Sequence, residues 1–459
     1  MHQSFIGIDL GTTFLKGAVI DLDARQLSHT ERMPFPSFVS GLPPAWREVD
    51  PQALVDTVHD LVHQLLPHAV NCSGLVMCSQ MHGLVLTRPT GMPLSNAITW
   101  QDQRMEQPHP SGRGSYFDIM SEQVSDTERL AVGNDLLVSR PLGFLWWLKE
   151  HQALPFDLQV IPASLPDFVL ASLCHSEPRV EPTNAAAYGA YDLIKASWRS
   201  ELIERLGLGS LMWPHICDAS EVVSTLNMDG QSLPCYAPVG DHQCAVLGTL
   251  LGPDELSINV STGSQVGMLT HEWVPSLEYQ TRPYFDHQYL RAIIHIPAGR
   301  SLNALLRLLT ELAEQQGVAV PDPWSYISRV TSALDDTDLR VNLAFFPSSC
   351  GDAGNIEHIR EETLSVAHLF TAAFNNMAEN YEACARRIWP QCAWQRIVFS
   401  GGLVQKLPSL QRAISRVMPG PYRFPPGAED TLMGLMILAL HHSGRARSLD
   451  EAISLVQEP

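Results

Sequence analysis

A chain of 459 residues, 45% hydrophobic and 17% charged, can bury the cores of two or three domains, which excludes a small disulfide-stapled scaffold and a disordered or fibrous chain. Thirty Lys and Arg against 49 Asp and Glu leave a formal charge of −19, and with no basic run to offset it neither nucleic acid nor an anionic membrane is an expected partner. The nine cysteines (Cys72, Cys78, Cys174, Cys217, Cys235, Cys244, Cys350, Cys384 and Cys392) are odd in number and never spaced C-x-x-C, which argues against a disulfide framework or zinc ribbon and for a reducing cytoplasm.

The opening MHQSFIGIDLGTTFLKGAVI has no basic n-region, long apolar core or small-residue cleavage site, so no signal peptide is expected, and no long uncharged apolar run indicates a transmembrane helix. Periodicity then predicts strands at Phe5–Leu10 and Leu15–Asp21, a helix at Pro51–Leu66, and strands at Ser73–Ser79 and Leu84–Arg88. Helices follow at Phe144–Gln152, Asp167–Leu173 and Ser197–Leu206, then a turn-rich Tyr236–Asp241 and an apolar Cys244–Leu251, broken by Gly252-Pro253-Asp254. A second round opens with strands at Leu256–Val260 and Gln265–Leu269. Helices are predicted at Leu302–Gln316 and Ser365–Ile388, a strand at Arg396–Ser400, and closing helices at Val404–Val417 and Asp430–His442.

The two rounds begin alike. FIGIDLGTT (Phe5–Thr13) and ELSINVSTG (Glu255–Gly263) each read as a strand, a Gly- and Thr-bearing turn and a second strand, with Asp9 matching Asn259 and Thr12 matching Thr262. Either turn alone reads as an ordinary hairpin; the pair implies two related lobes whose backbone N–H groups and hydroxyls face each other across a cleft and suit an anion such as phosphate.

From these residues onward the chain resembles the FGGY carbohydrate kinases of the actin/hexokinase/Hsp70 ATPase superfamily. GIDLGTTFLK is similar to the family's first phosphate loop, SRPLGFLWWLKEH (Ser139–His151) to its first signature, and VGDHQCAVLG (Val239–Gly248) to its catalytic segment. INVSTGS (Ile258–Ser264) resembles the second phosphate loop, VFSGGLVQK (Val398–Lys406) the nucleotide loop, and EDTLMG (Glu429–Gly434) the start of the closing helix. Within the family, SQMHGLVL and ITWQDQR resemble ketose kinases more than glycerol kinases. The TWQDxR run, the GDxQ pattern of Asp241 and Gln243 and the NxSTxxQ pattern of Asn259 to Gln265 tilt toward the sedoheptulokinase rather than the xylulokinase branch.

The resemblance implies an α/β fold of two ribonuclease-H-like domains with a central cleft, residues 1–250 binding sugar and carrying the first phosphate loop and residues 251–459 binding nucleotide. It implies ATP and Mg²⁺, a small ketose as partner, and a monomer or homodimer. Phosphoryl transfer needs a held hydroxyl, a late proton acceptor and offset phosphate charge. Asp241 is the candidate base, although a Gly-Asp pair by itself is an ordinary turn. Asp9, ending a strand, and Asp241 are candidates to face Mg²⁺, Asp9 through water, with a turn-capping role as the alternative for Asp9. Gly11, Thr12, Thr13 and Lys16 from one lobe, and Thr262 and Gly263 from the other, are expected at the phosphates. Gly299, Gly401, Gly402 and Leu403 are expected at adenine and ribose, the glycines letting the chain come close. Gln80, Met81 and His82, at a strand's carboxyl end, with Trp100, Asp102, Arg104 and Asp241, are expected to meet the sugar; the alternative for each is a packed or solvated side chain. Leu343–His358 lacks the Glu-Arg pair of many relatives. With Leu403 and Arg300, that keeps open a sensor built on a degenerate kinase fold.

Overall fold

The computed structural model describes residues 3–155 and 159–457. The opening strand Ser4–Leu10 is buried along its whole length. It pairs antiparallel with Phe14–Asp21, which pairs in turn with Gln26–Pro34, and parallel with Cys72–Ser79 on its other side. Val222–Met228, Gln231–Tyr236 and the short Val239–Gly240 complete this sheet. Alternation sends Ile6, Ile8 and Leu10 to one face, against Leu54, Val58, Leu61 and Leu65 of the helix Pro51–Leu65. That helix starts where Asp50 caps it, accepting from Gln52 N at 2.9 Å, and Pro51 occupies its first turn.

The second sheet repeats the plan. Glu255–Asn259 pairs antiparallel with Gly263–Thr270 and parallel with Arg396–Ser400, as the opening strand does with its two neighbours. Asn259 stands opposite Gln265 and Ser400, and Asp9 opposite Lys16 and Cys78. Tyr289–Pro297, Gln280–Pro283 and Tyr422–Arg423 extend the sheet, and the long helix Val366–Ile388 covers it through Phe370, Phe374, Met377 and Tyr381. The internal echo in the sequence is therefore a repeated fold. The architecture is α/β, two like-built sheets each covered by helices, as the two related lobes of the sequence require.

One late element does not stay with the second sheet. The closing helix Asp430–His442 lies against the first, where Leu432, Leu435 and Leu438 share a core with Phe5, Val76 and Cys78. It meets the helix Asp241–Gly248 at glycines on both sides. A Cβ on Gly248 would sit 1.8 Å from Asp430 O, and one on Gly434 2.0 Å from Cys244 O. No larger residue fits either crossing.

Three expectations of local structure are corrected. Ser197–Leu206 is a two-residue strand, Ser197–Trp198, followed by the helix Ser200–Arg205. Val404–Val417 is two helices, Gly402–Lys406 and Pro408–Val417, broken at Leu407 (φ −121°, ψ 84°), because the residue before a proline is driven out of the helical region. Turn-rich Tyr236–Asp241 instead supplies Val239–Gly240, paired with Cys78 and Ser79.

Candidate active site

Asp9 and Asp241 come together at the carboxyl end of the first sheet. Asp9 closes the opening strand, buried, and Thr431 Oγ1 at the head of the closing helix donates to its Oδ2 at 2.7 Å. Burial raises its pKa, with Thr431 and Lys16 acting in the opposite sense. Asp241 begins its helix directly after Gly240, whose N–H donates to Thr183 Oγ1 at 2.8 Å. Burial and the neighbouring charge of Asp9 push Asp241 up to about 7, while Arg282 and the backbone N–H groups of the helix start pull it down. Cys78, opposite Asp9 in the sheet, feels both carboxylates and Cys244.

The Gly11–Thr13 turn beside Asp9 is held from the side expected to meet the sugar. Gln80 Nε2 donates to Gly11 O at 3.2 Å, Thr12 Oγ1 donates to Gln80 Oε1 at 3.5 Å, and Trp100 Nε1 donates to Thr12 Oγ1 at 3.1 Å. A Cβ on Gly11 would come 2.7 Å from Phe14 O, so this tight turn requires glycine. Thr13 is exposed. Lys16 Nζ is engaged, donating to Glu429 Oε2 at 2.7 Å, and Arg32 pairs with the same carboxylate.

Across from them, three segments converge. Gly299 N donates to Ser261 O at 3.1 Å and Arg300 N to Thr262 O at 2.8 Å, while Leu403 N donates to Val260 O at 3.3 Å. Gly401 has φ +84°, and a Cβ there would lie 2.4 Å from Val260 O; at Gly402 and Gly263 the space beyond the backbone is open. Thr262 is exposed beside Gly263. The Arg300 guanidinium lies 4.2 Å from the Phe346 ring centroid, out of the turn.

Met81 stands beside Gly240, and His82 faces the charges of Asp135, Arg140 and Arg282. Met81 is buried, and its Sδ is 3.1 Å from where a Cβ on Gly240 would stand. His82 adopts φ +72°, its Nε2 is buried without a protein partner among the described residues, and burial with Arg140 and Arg282 nearby holds its pKa well below the ordinary value. Asp102 and Arg104 are buried and bonded to each other. Asp102 accepts from Arg47 N at 2.7 Å and from Arg104 N at 2.9 Å; Arg104 also bonds Glu48 and lies 4.2 Å from the centroid of Trp46. The two side chains sit in a buried ion cluster with Glu48 under aromatic rings, the arrangement of the packed alternative.

Sequence reasoning did not single out Thr431, Glu429 or Asp430, the last pushed up to about 6 by burial and Glu429. Their signal was present as an acidic and hydroxyl pair at the head of an apolar helix. It also missed Asp135 and Arg282, which belong to no quoted motif, and gave no role to Arg140 and His242, which lie inside two of them; the four meet where the halves touch.

The donors fit a nucleotide with Mg²⁺. Glycines stand where a Cβ would collide, two Thr-bearing turns face the site, and Asp9 and Asp241 form an acidic pair. Among the described residues no group of three or more His, Cys, Asp or Glu could enclose a metal ion. Mg²⁺ keeps several waters and needs one or two carboxylates plus phosphate oxygens, so the pair suffices. Among the described residues no helix is long and apolar enough to cross a membrane.

Comparison with known proteins bears on the family. The chain is 21% identical over 490 aligned positions to a sedoheptulokinase of Homo sapiens, covering 96% of this chain and 98% of that one. It is 26% identical over 327 positions to a xylulose kinase of Staphylococcus xylosus, covering 66% and 64%. Among solved structures, the fold superposes on a gluconate kinase of Lactobacillus acidophilus with a TM-score of 0.83 at 17% identity, covering 98% and 92%. A xylulose kinase of the same organism gives 0.82 at 18% identity, covering 98% and 91%. The family model for the FGGY family of carbohydrate kinases, N-terminal domain, matches residues 4–248, and with it the chain belongs to the FGGY family of carbohydrate kinases.

Proposed function

We propose that this ATP-dependent sugar kinase transfers the γ-phosphoryl group of ATP to a ketose hydroxyl, with sedoheptulose as acceptor and sedoheptulose 7-phosphate as product. The observation that carries the reading is Asp241, a carboxylate at a helix start with a pKa of about 7, set beside Asp9 between two Gly- and Thr-bearing turns. The near-full-length similarity to a human sedoheptulokinase supports the seven-carbon acceptor. A five-carbon ketulose such as xylulose is the second reading, favoured by the similarity to xylulose kinases.

In this reading Asp241 accepts the proton of the incoming hydroxyl. A carboxylate near neutrality is a stronger base than an exposed aspartate at about 3.9, and a loose transition state calls for that proton late. Thr12, Thr13, Thr262 and the N–H of Gly263 donate to phosphate oxygens, while Gly299, Gly401, Gly402 and Leu403 line the nucleoside. Asp9 and Asp241 would hold Mg²⁺, which supplies charge compensation on the phosphates when bound. Met81 and His82 border the acceptor, and Gln80 and Trp100 act through Thr12 by fixing the phosphate turn. We place the boundary between sugar-binding and nucleotide-binding halves near residue 250, with the closing helix as the strut between them. Nine free cysteines suit a cytoplasmic setting.

The test is phosphorylation of a ketose panel with ATP. Turnover on sedoheptulose above that on xylulose is expected; preference for xylulose selects the second reading, and inactivity on all ketoses overturns both.

A further inference from the structure

We propose that Arg282, carried by the second half, is a positioning residue that completes the acceptor side of the site in the first half. The inference rests on the kinase reading above and adds a residue to it. Arg282 belongs to the edge strand Gln280–Pro283, yet its side chain is buried. Its Nε lies 3.3 Å from Asp135 Oδ2, its Nη1 3.0 Å from His242 Nδ1, and its Nη2 donates to Gln280 Oε1 at 3.0 Å. The same Nη1 is 3.9 Å from Met81 Sδ. One guanidinium thus touches a carboxylate of the first half, the methionine of the QMHG run and the residue after Asp241.

The docking is built from both sides. Arg140 of the first half holds Asp135 from its other oxygen, so the carboxylate is fixed before Arg282 arrives. Thr281 N donates to Gly133 O at 2.9 Å, and Asn134 Nδ2 donates to Leu277 O at 3.0 Å and Tyr279 O at 3.2 Å, which seats the strand against the segment that carries Asp135. A Cβ on Gly133 would stand 1.9 Å from Thr281 O, so the approach needs glycine there. A guanidinium can only donate, so its bond to Nδ1 makes that nitrogen the acceptor and places the ring proton of neutral His242 on Nε2. An ammonium at this position could not span the Asp135, His242 and Gln280 atoms at once, because it lacks the planar fork.

Stability alone is a weak reason for such a residue. A buried ion pair contributes little net, since desolvation offsets the attraction, whereas a fixed arrangement of charges and donors is what acceptor positioning requires. The neighbourhood also keeps an open polar atom, the buried Nε2 of His82, whose imidazole feels both Arg140 and Arg282. That atom is available to an acceptor oxygen when Arg282 is docked.

The experiment compares the full-length chain with R282Q, R282K and D135N in steady-state kinetics, ADP binding and amide hydrogen exchange. Because misplacing a reacting group costs about 10²-fold, kcat/KM for the ketose should fall by about that factor in R282Q, with KM for ATP and Kd for ADP within about twofold of wild type. R282K should restore part of the loss, and D135N combined with R282Q should cost less than the sum of the two single losses, since only the Asp135–Arg140 contact is then left to break. Exchange should rise in residues 131–137 of R282Q. Unchanged ketose kinetics in a folded R282Q overturns the inference and leaves the kinase reading intact, and so does an equal loss of ADP affinity. A wild-type chain that phosphorylates no sugar overturns the kinase reading instead; unchanged exchange at 131–137 then removes Arg282 as the pin as well.

Discussion

Thr431 Oγ1 donates to Asp9 Oδ2 at 2.7 Å, joining two residues 422 positions apart and fixing the last long helix to the first strand of the chain. The bond has a chemical consequence, because Asp9 is buried and a buried carboxylate without partners is costly to ionise. Thr431→Val keeps the shape and removes the donor. A hydrogen bond to a charged group contributes about 1.5–3 kcal/mol, so ATP turnover should fall by about tenfold or more with the fold retained, and Thr431→Ser should recover most of it. Steady-state kinetics of the two variants, with thermal unfolding as the control, decide the matter.

The pH profile follows from Asp241. Its carboxyl must be ionised to take a proton; burial with Asp9 beside it pushes its pKa up to about 7 in the metal-free protein, and bound Mg²⁺ draws it down from there, so turnover should drop on the acid side of neutrality and the drop should move to lower pH as Mg²⁺ is raised. Stability should run the other way. The folded state holds the proton between about 3.8 and 7 where the unfolded chain has released it, so the stability tied to the neutral form is present below about 4 and lost as pH rises through 7. Asp241→Asn should therefore melt several degrees higher than wild type at pH 8, with the gain vanishing toward pH 4, while turnover falls by about 10²–10⁴-fold. A variant that melts no higher at pH 8 than wild type would remove the burial argument.

Arg104 gives the opposite kind of outcome. Its guanidinium is shared by Asp102 and Glu48 under Trp46 and Trp147, all within the first half. Arg104→Met leaves two carboxylates uncompensated in the interior, a change that costs about 3–5 kcal/mol. Thermal unfolding should register that loss. At a temperature where the variant is folded, KM for the ketose should stay within about threefold of wild type, since packing residues act on substrate only through the fold.

What was legible in the sequence is the part whose physics is local. The opening strands read correctly because Ile6, Ile8 and Leu10 alternate with a continuous buried run, and the two Gly- and Thr-bearing turns read as a pair because each sits at the same place in a strand–turn–strand plan. The closing helix was read from Asp430 to His442, as it stands. The strand Gln26–Pro34 was not legible, since it lies at the sheet edge with exposed polar residues and has no apolar period to detect. Asp102 and Arg104 looked like hydroxyl binders because nothing in ITWQDQR reveals that Glu48 and three aromatic rings enclose them. Arg282 carried no signal at all, for its partners Asp135 and His242 come from distant segments and meet it only when both halves are folded together.

Adjacent glycines after the strand Arg396–Ser400 separate a backbone requirement from a ligand requirement. Gly401 has φ +84°, and a Cβ would stand 2.4 Å from Val260 O and 2.7 Å from Val260 C, backbone atoms that cannot move without shifting the second phosphate turn. Gly401→Ala should cost about 1–3 kcal/mol through the strained dihedral alone and also weaken nucleotide binding, because Val260 leads directly into the Ser261–Gly263 turn. Gly402 is different. It starts the helix Gly402–Lys406, and nothing lies within 4 Å of a Cβ placed there. Since alanine is the better helix former by about 1 kcal/mol in helix interiors, Gly402→Ala should leave the melting temperature equal or slightly higher. If the open space beside Gly402 is where the nucleoside approaches the chain, the added methyl should still raise KM for ATP by about tenfold, an effect carried by the ligand and not by the fold. Calorimetric ADP titration of both variants reads the difference: binding and melting lost together for Gly401→Ala, binding lost with melting kept for Gly402→Ala. Full ADP affinity in Gly402→Ala would move the nucleoside away from this turn.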